Sequence, residues 1–367
     1  MSFSVRDLAT PGVRALQPYQ PGKPLSELER EYGISGAIKL ASNENPLGPS
    51  PLGLAAAREA LAEVELYPDS HGFALKQALS AALGVGADQL VLGNGSNEIL
   101  QLVARAFLNP GDEVVVAQYA FAIFTTEAVS AGGRVVTVPA KDWGADLPAM
   151  RAAVTERTRL IFLANPNNPT GTWHRAAELL AFLEALPEHV VVVLDEAYCE
   201  YVSEPDYPNG LAWLARFPNL LVSRTFSKIY GLAGLRLGYG VASVEMADLL
   251  NRLREPFSVN NLALAAGAAA LADEAHVTRS RELNAQGLAE LAAACQRLGL
   301  DFIPSVGNFI AVDVGRPAGP VYEALLRQGI IVRPLAPYGM PRHLRITIGT
   351  HAQMQRLLAA LPKALAA

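Results

Sequence analysis

The chain has 367 residues, 51% of them hydrophobic and 18% charged, with a formal net charge of −5. That composition excludes a disordered chain, because enough apolar surface is present to offset the entropy of ordering. The acidic balance, without any block of like charges, argues against nucleic acid as a partner. Only two cysteines occur, Cys199 and Cys295, and neither has zinc spacing, which fits a reducing compartment. The first residues lack the apolar core of a signal peptide. The longest apolar stretch, residues 262–272, is far short of a membrane span. A cytoplasmic protein without membrane contact is expected.

Residues 1–44, rich in Pro and Gly, read as an arm rather than a domain. Short apolar runs then alternate with Ala/Leu-rich helical patterns, at residues 89–93, 113–117, 134–138, 159–164, 190–195 and 220–223. The runs are continuously apolar, as strands covered on both faces must be. This spacing predicts an α/β domain with a mainly parallel sheet over residues 45–253. Beyond it comes one long helical pattern, 262–298, then strand-like runs around a helix near 318–328. A smaller α+β domain over residues 254–367 is predicted from that change of texture.

Ligands of open α/β sheets bind beyond the carboxyl ends of the strands, so the polar residues after each apolar run are the candidates. After the first run, Gly93 to Asn97 open a helix, where free backbone N–H groups suit a phosphate. A tight βα turn accounts for that stretch equally well. "NPNNPTG" (165–171) offers three amide side chains where a turn needs fewer. Asp195 ends a run of four valines and a leucine, where a carboxylate is expensive unless it meets a cation or a protonated ring nitrogen. A helix N-cap is the competing explanation. Tyr198 follows three residues on.

The stretch "RTFSKIYGLAGLR" places Thr225, Ser227, Lys228 and Arg236 around one strand end. A lysine desolvated beside other cations becomes a nucleophile toward an aldehyde. Two hydroxyls and a planar guanidinium suit a phosphate. An aldehyde, a phosphate and a ring nitrogen wanting a carboxylate together describe pyridoxal 5′-phosphate. No HExxH cluster is present, so no metal site is expected.

With "LASNENPLGPS", "LYPDSHGFAL", "GNGSNEIL", "DEAYCEY" and "IIVRPLAPYGMPRHLRITIGT" added, in this order, the chain resembles the fold-type I pyridoxal-phosphate aminotransferases. Within them it is similar to the histidinol-phosphate aminotransferase family. The resemblance implies that Lys228 condenses with the cofactor aldehyde and shuttles a proton, and that Asp195 pairs with the ring nitrogen. It gives Tyr198 and Asn168 to the ring's 3′ oxygen, and Gly95, Ser96, Thr225, Ser227 and Arg236 to the phosphate. Tyr119 falls where the family stacks an aromatic on the ring, although the usual proline-led pattern before it is missing. Tyr67 is implied to reach the neighbouring subunit of a homodimer with shared sites. Arg345 and Arg333, with Tyr19, are implied to hold the substrate phosphate. Three activities stay open on this scaffold: histidinol-phosphate transamination with 2-oxoglutarate, aromatic amino-acid transamination, and decarboxylation of threonine phosphate.

Overall fold

The computed structural model describes residues 4–18 and 22–367. Among them the strands are β1 (Ile38–Lys39), β2 (Leu90–Asn94), β3 (Glu113–Ala117), β4 (Arg134–Val138), β5 (Thr158–Ala164), β6 (Val191–Asp195), β7 (Leu220–Thr225) and β8 (Leu237–Val241). Then follow β9 (Asp301–Ile303), β10 (Phe309–Asp313), β11 (Ile330–Ile331), β12 (Arg333–Pro334) and β13 (His343–Thr347). β2 to β8 form one seven-stranded sheet in the order β2-β8-β7-β6-β5-β3-β4. Only β8 runs antiparallel to its neighbours.

The continuous apolar runs have the cause expected of them. Within β6, Val192 and Leu194 enter one core while Val191 and Val193 enter another, on the opposite face. β5 divides likewise, Ile161 and Leu163 against Leu160 and Phe162. Successive side chains of a strand point to opposite faces, so both faces need helical cover. Helices Ser96–Phe107, Ala122–Ser130 and Val244–Leu253 cover one face, and Phe73–Leu83, Ala176–Ala185 and Asn261–Ala270 the other.

Two features differ from the sequence reading. β8 is not among the runs expected from the sequence; "LGYGV" carries two glycines, which weaken a strand interior. Both glycines serve close approach: a methyl group at Gly238 would lie 2.2 Å from the Ser96 amide nitrogen, and one at Gly240 2.9 Å from Ile99. The single helix expected over 262–298 is two helices, Asn261–Ala270 and Glu274–Arg297. Asp273 caps the second, accepting from the His276 amide, and also accepts from the Ser50 hydroxyl at 2.6 Å. The first helix packs into the core of the large sheet through Ala263, Ala266 and Ala270. The second helix packs instead into the core of the other sheet, through Leu291 and Cys295.

The second sheet runs β12-β13-β10-β9, all antiparallel, beneath helices Glu274–Arg297, Ala318–Arg327 and His351–Ala366. β1, from the arm, pairs in parallel with β11. The Leu40 carbonyl then accepts from the Thr347 amide at the end of β13.

At the amino edge of the large sheet, Glu113 is buried and accepts from Thr155 Oγ1 at 2.7 Å, from Arg157 at 2.8 Å and from Arg134. The Thr155 hydroxyl first, and then the arginines, hold its carboxyl below the usual range. Glu113→Gln should cost about 1–3 kcal/mol of stability while leaving turnover intact, since this edge is opposite the ligand edge. A depressed carboxyl contributes its stability above the unfolded value of 4.5, so the difference should shrink in urea titrations below that pH.

Candidate active site

The carboxyl ends of β5, β6 and β7 and the start of β8 open into one cavity of about 400 Å³ between the two sheets. Ser96, Asn168, Asp195, Tyr198, Thr225, Ser227, Lys228, Arg236, Arg333 and Arg345 all line it. Residues more than 200 positions apart in sequence thus meet because parallel strands end together.

Asp195 is the last residue of β6, and only 6% of its surface is exposed. Its backbone carbonyl accepts from the Asn165 amide, so the strand is still in register where the carboxyl begins. Oδ1 is buried with no hydrogen-bond partner among the described residues. Burial, followed by the charge of Glu196, pushes this carboxyl up to about 7 against the pull of Lys228. It is not a helix cap. A buried acid with an unmatched oxygen asks for a donor that the protein does not supply.

Lys228 lies in the turn after β7. Its Nζ donates to the Ser42 carbonyl at 3.4 Å and stands 5.5 Å from the centre of the Tyr198 ring. Burial pushes the Tyr198 phenol up, with Arg345 and the Asn43 amide pulling the other way. Asn43 Nδ2 donates to that phenol oxygen at 2.8 Å.

The anion end is built on Gly95 and Ser96. Gly95, at φ +78°, is so close to Arg236 that a methyl group there would meet Nη2 at 2.5 Å. Ser96 begins a twelve-residue helix whose first N–H groups have no partner within the helix. Thr225 Oγ1 accepts from the Ser227 amide at 3.1 Å, which fixes the turn carrying both hydroxyls. Helix end, hydroxyls and guanidinium converge as a phosphate cradle does.

On the opposite wall, Arg333 and Arg345 are directly paired across β12 and β13, so their side chains share one face. Like charges placed opposite each other destabilise a sheet unless an anion joins them. Arg345 is 7% exposed; it donates to the Ala41 carbonyl at 2.7 Å and to Asn168 Oδ1, and stacks over Phe309.

The cavity therefore offers an amine, an acid short of one proton donor, a phosphate cradle and a pair of arginines, and these residues fit pyridoxal phosphate. The comparisons agree with that chemistry. The profile of the family described as "Aminotransferase class I and II" matches residues 35–361. The chain belongs to that family. The aminotransferase is 59% identical to "Histidinol-phosphate aminotransferase 2" of Pseudomonas fluorescens strain Pf-5, over all of both chains. It is 57% identical to "Histidinol-phosphate aminotransferase 1" of Nitrosococcus oceani over 96% of each. Its fold superposes on histidinol-phosphate aminotransferase from Sinorhizobium meliloti, a complex with pyridoxal-5′-phosphate, with a TM-score of 0.90 at 35% identity. That match covers 100% of this chain and 98% of the other.

Two further expected residues, Tyr119 and Tyr67, do not line this cavity. Tyr119 is not in the cavity wall: its ring packs 5.4 Å from Trp143 and beside Leu335 and Met340, taken up by the seam between the domains. Phe121 and Ile123 line the cavity instead. Tyr67 is 82% exposed and stacked on Phe257 at 4.7 Å, away from the cavity of its own chain. Tyr19 lies outside the described residues.

The arm segment 41–44 was quoted as a motif but given no role, and it forms one side of the cavity. Asn43, at φ +56°, bonds Tyr198, exchanges bonds with Thr347, and accepts from Asn308. A polar cluster between an apolar run and a proline was the available signal.

The Asp195 carboxyl carries a testable cost. Its folded value lies above the unfolded 3.8, so the native chain loses stability as pH rises through the window up to about 7. In cofactor-free protein, Asp195→Asn should raise the melting temperature by an amount that grows across this window and then levels off. The gain should be about 1.4 kcal/mol per pH unit. A gain independent of pH would show that the carboxyl never pays it.

Proposed function

We propose that the aminotransferase moves the amino group of L-histidinol phosphate to 2-oxoglutarate, with pyridoxal 5′-phosphate as cofactor. The products are imidazole-acetol phosphate and L-glutamate, a step of histidine biosynthesis. The observation that carries the substrate is the Arg333–Arg345 pair, since two guanidinium groups on one face suit a dianionic phosphate better than one carboxylate.

When bound, pyridoxal phosphate supplies the electron sink that makes the amine-bearing carbon acidic. The protein's residues do the rest. Lys228 Nζ takes the proton from that carbon and returns it when the amino group is passed on. Asp195 Oδ1, which has no partner among the described residues, would hold the ring nitrogen and favour its protonated form. Tyr198 and Asn168 orient the ring's 3′ oxygen. Gly95, Ser96, Thr225, Ser227 and Arg236 grip the phosphate, so that the amine and the reacting carbon stay aligned. Arg345 serves both half-reactions, and Arg333 selects phosphate.

Reduction of the loaded protein with borohydride should place the pyridoxyl label on Lys228 in peptide maps. Lys228→Ala should retain cofactor through the phosphate grip and lose turnover by about 10²–10⁴-fold. A label on another lysine would remove Lys228 from the role.

We divide the chain into an arm (1–44), a large domain and a small domain, and place the working unit in the cytoplasm as a homodimer with shared sites. What supports the dimer is a solvent-facing apolar band around Tyr67, with Leu61, Val64, Leu66 and Phe73 exposed beside it. Among the described residues, no helix is long and apolar enough to cross a membrane, and both cysteines are free.

Arg333→Ala should raise the KM for histidinol phosphate by the equivalent of roughly 2–3 kcal/mol, because a partner charge is left unpaired. The KM for glutamate and 2-oxoglutarate should move much less. Equal losses for both substrates in steady-state kinetics would remove Arg333 as the phosphate discriminator.

A further inference from the structure

Behind Asp195 lies a second acid, which the chemistry above does not use. Glu196 is fully buried, and its amide donates to the Ser223 carbonyl of β7 at 2.8 Å. Its Oε2 accepts from Arg224 Nε at 3.0 Å and from Nη2 at 2.7 Å, and its Oε1 accepts from the Gly210 amide at 2.9 Å. A methyl group at Gly210 would lie 2.7 Å from that oxygen, so the backbone is shaped around the carboxylate. Arg224 Nη2 also donates to Asn209 Oδ1 at 3.1 Å. Two carboxyls therefore stand on consecutive residues, one fully matched by the protein and the other left with an open oxygen.

We propose that Arg224 is a positioning residue that sets the charge of Asp195 by neutralising Glu196. This rests on the reading of Asp195 as the partner of the cofactor's ring nitrogen. Two adjacent buried carboxylates cannot both ionise cheaply, and without a counter-charge one of them keeps its proton. With Arg224 in place, two direct bonds match Glu196 and lessen its effect on its neighbour, and Asp195 is freer to meet the ring nitrogen as a carboxylate. Without Arg224, the pair holds a proton that the ring nitrogen should have.

The surrounding groups leave this assignment to Glu196 and Arg224. On the cavity side, Asp195 faces Lys228, which favours its charge, and the protonated phenol of Tyr198, whose own neighbour is Arg345. On the far side, Arg224 is flanked by Cys199, Glu200, Tyr207 and Tyr239. Among these groups it is Glu196 whose carboxylate takes both the Nε and the Nη2 of Arg224, at 3.0 and 2.7 Å, so Glu196 is the partner that Arg224 matches.

The test follows the titration of Asp195 in the full-length, cofactor-free chain. In each background, the melting temperature is measured against pH with and without Asp195→Asn, and the pH at which the gain levels off is read. Glu196→Gln should move that point down by about one pH unit or more, and Arg224→Gln should move it up by a similar amount. The double variant Glu196→Gln/Arg224→Gln, neutral overall, should return it near the wild-type position. Should Arg224→Gln fail to fold, Glu196→Gln and the double variant still decide the matter. Shifts of one sign in both single variants, or no shift in Glu196→Gln, would leave the pair a structural staple and overturn the proposal. A separate titration of the wild type with pyridoxal phosphate tests the cofactor reading; absence of binding there would overturn that reading alone.

Discussion

A carboxyl at the buried end of a valine strand is the constraint around which the large domain is arranged. Water is excluded from Asp195 by the two helical layers that make the parallel sheet stable, and the same exclusion pushes its proton affinity up. The chain accepts this in its ligand-free form. On the proposed role of Asp195, a positively charged ring nitrogen would relieve it, and part of the energy of holding the cofactor would be stored in the fold beforehand. The phosphate cradle at Gly95 and the amine of Lys228 then need only to be placed at the right distances from that carboxyl. Parallel strands ending at a common edge do this.

The small domain solves the complementary problem of concentrating positive charge. Arg333 and Arg345 are neighbours across an antiparallel pair, the register in which like charges repel most. The Ala41 carbonyl, Asn168 and the face of Phe309 hold Arg345 in place. On the proposed role of this pair, an entering anion would turn that repulsion into selectivity.

Much of this was legible in the sequence for a simple reason. Where an apolar run stops at a polar residue, the strand has ended, and in this fold class strand ends are the site. Lys228, Asp195, Asn168, Ser96 and Arg236 were all found by that rule, and all line one cavity. What escaped depended on distance or on shape. Asn43 meets Tyr198 across 155 positions and Thr347 across 304, and no local pattern signals such contacts. β8 escaped because its glycines answer to Ser96 and Ile99 on another element. The ring of Tyr119 packs against Trp143, and the direction of a ring is decided by such packing, which no local pattern shows. The break at Asp273 was hidden in an alanine-rich stretch whose two halves belong to different cores.

The arm joins the two halves of the cavity through consecutive peptide units. Ala41 offers its carbonyl to Arg345 and Ser42 offers its own to Lys228, with Asn43 gripping Tyr198 next in line. The two functions proposed for Arg345 and Lys228, recognition and proton transfer, would therefore share a single short stretch of backbone. A lineage drifting toward a new amino donor cannot reshape this stretch without disturbing the amine. Its room for change lies at the rim, and the arm is the part that descendants of different preference should keep in common.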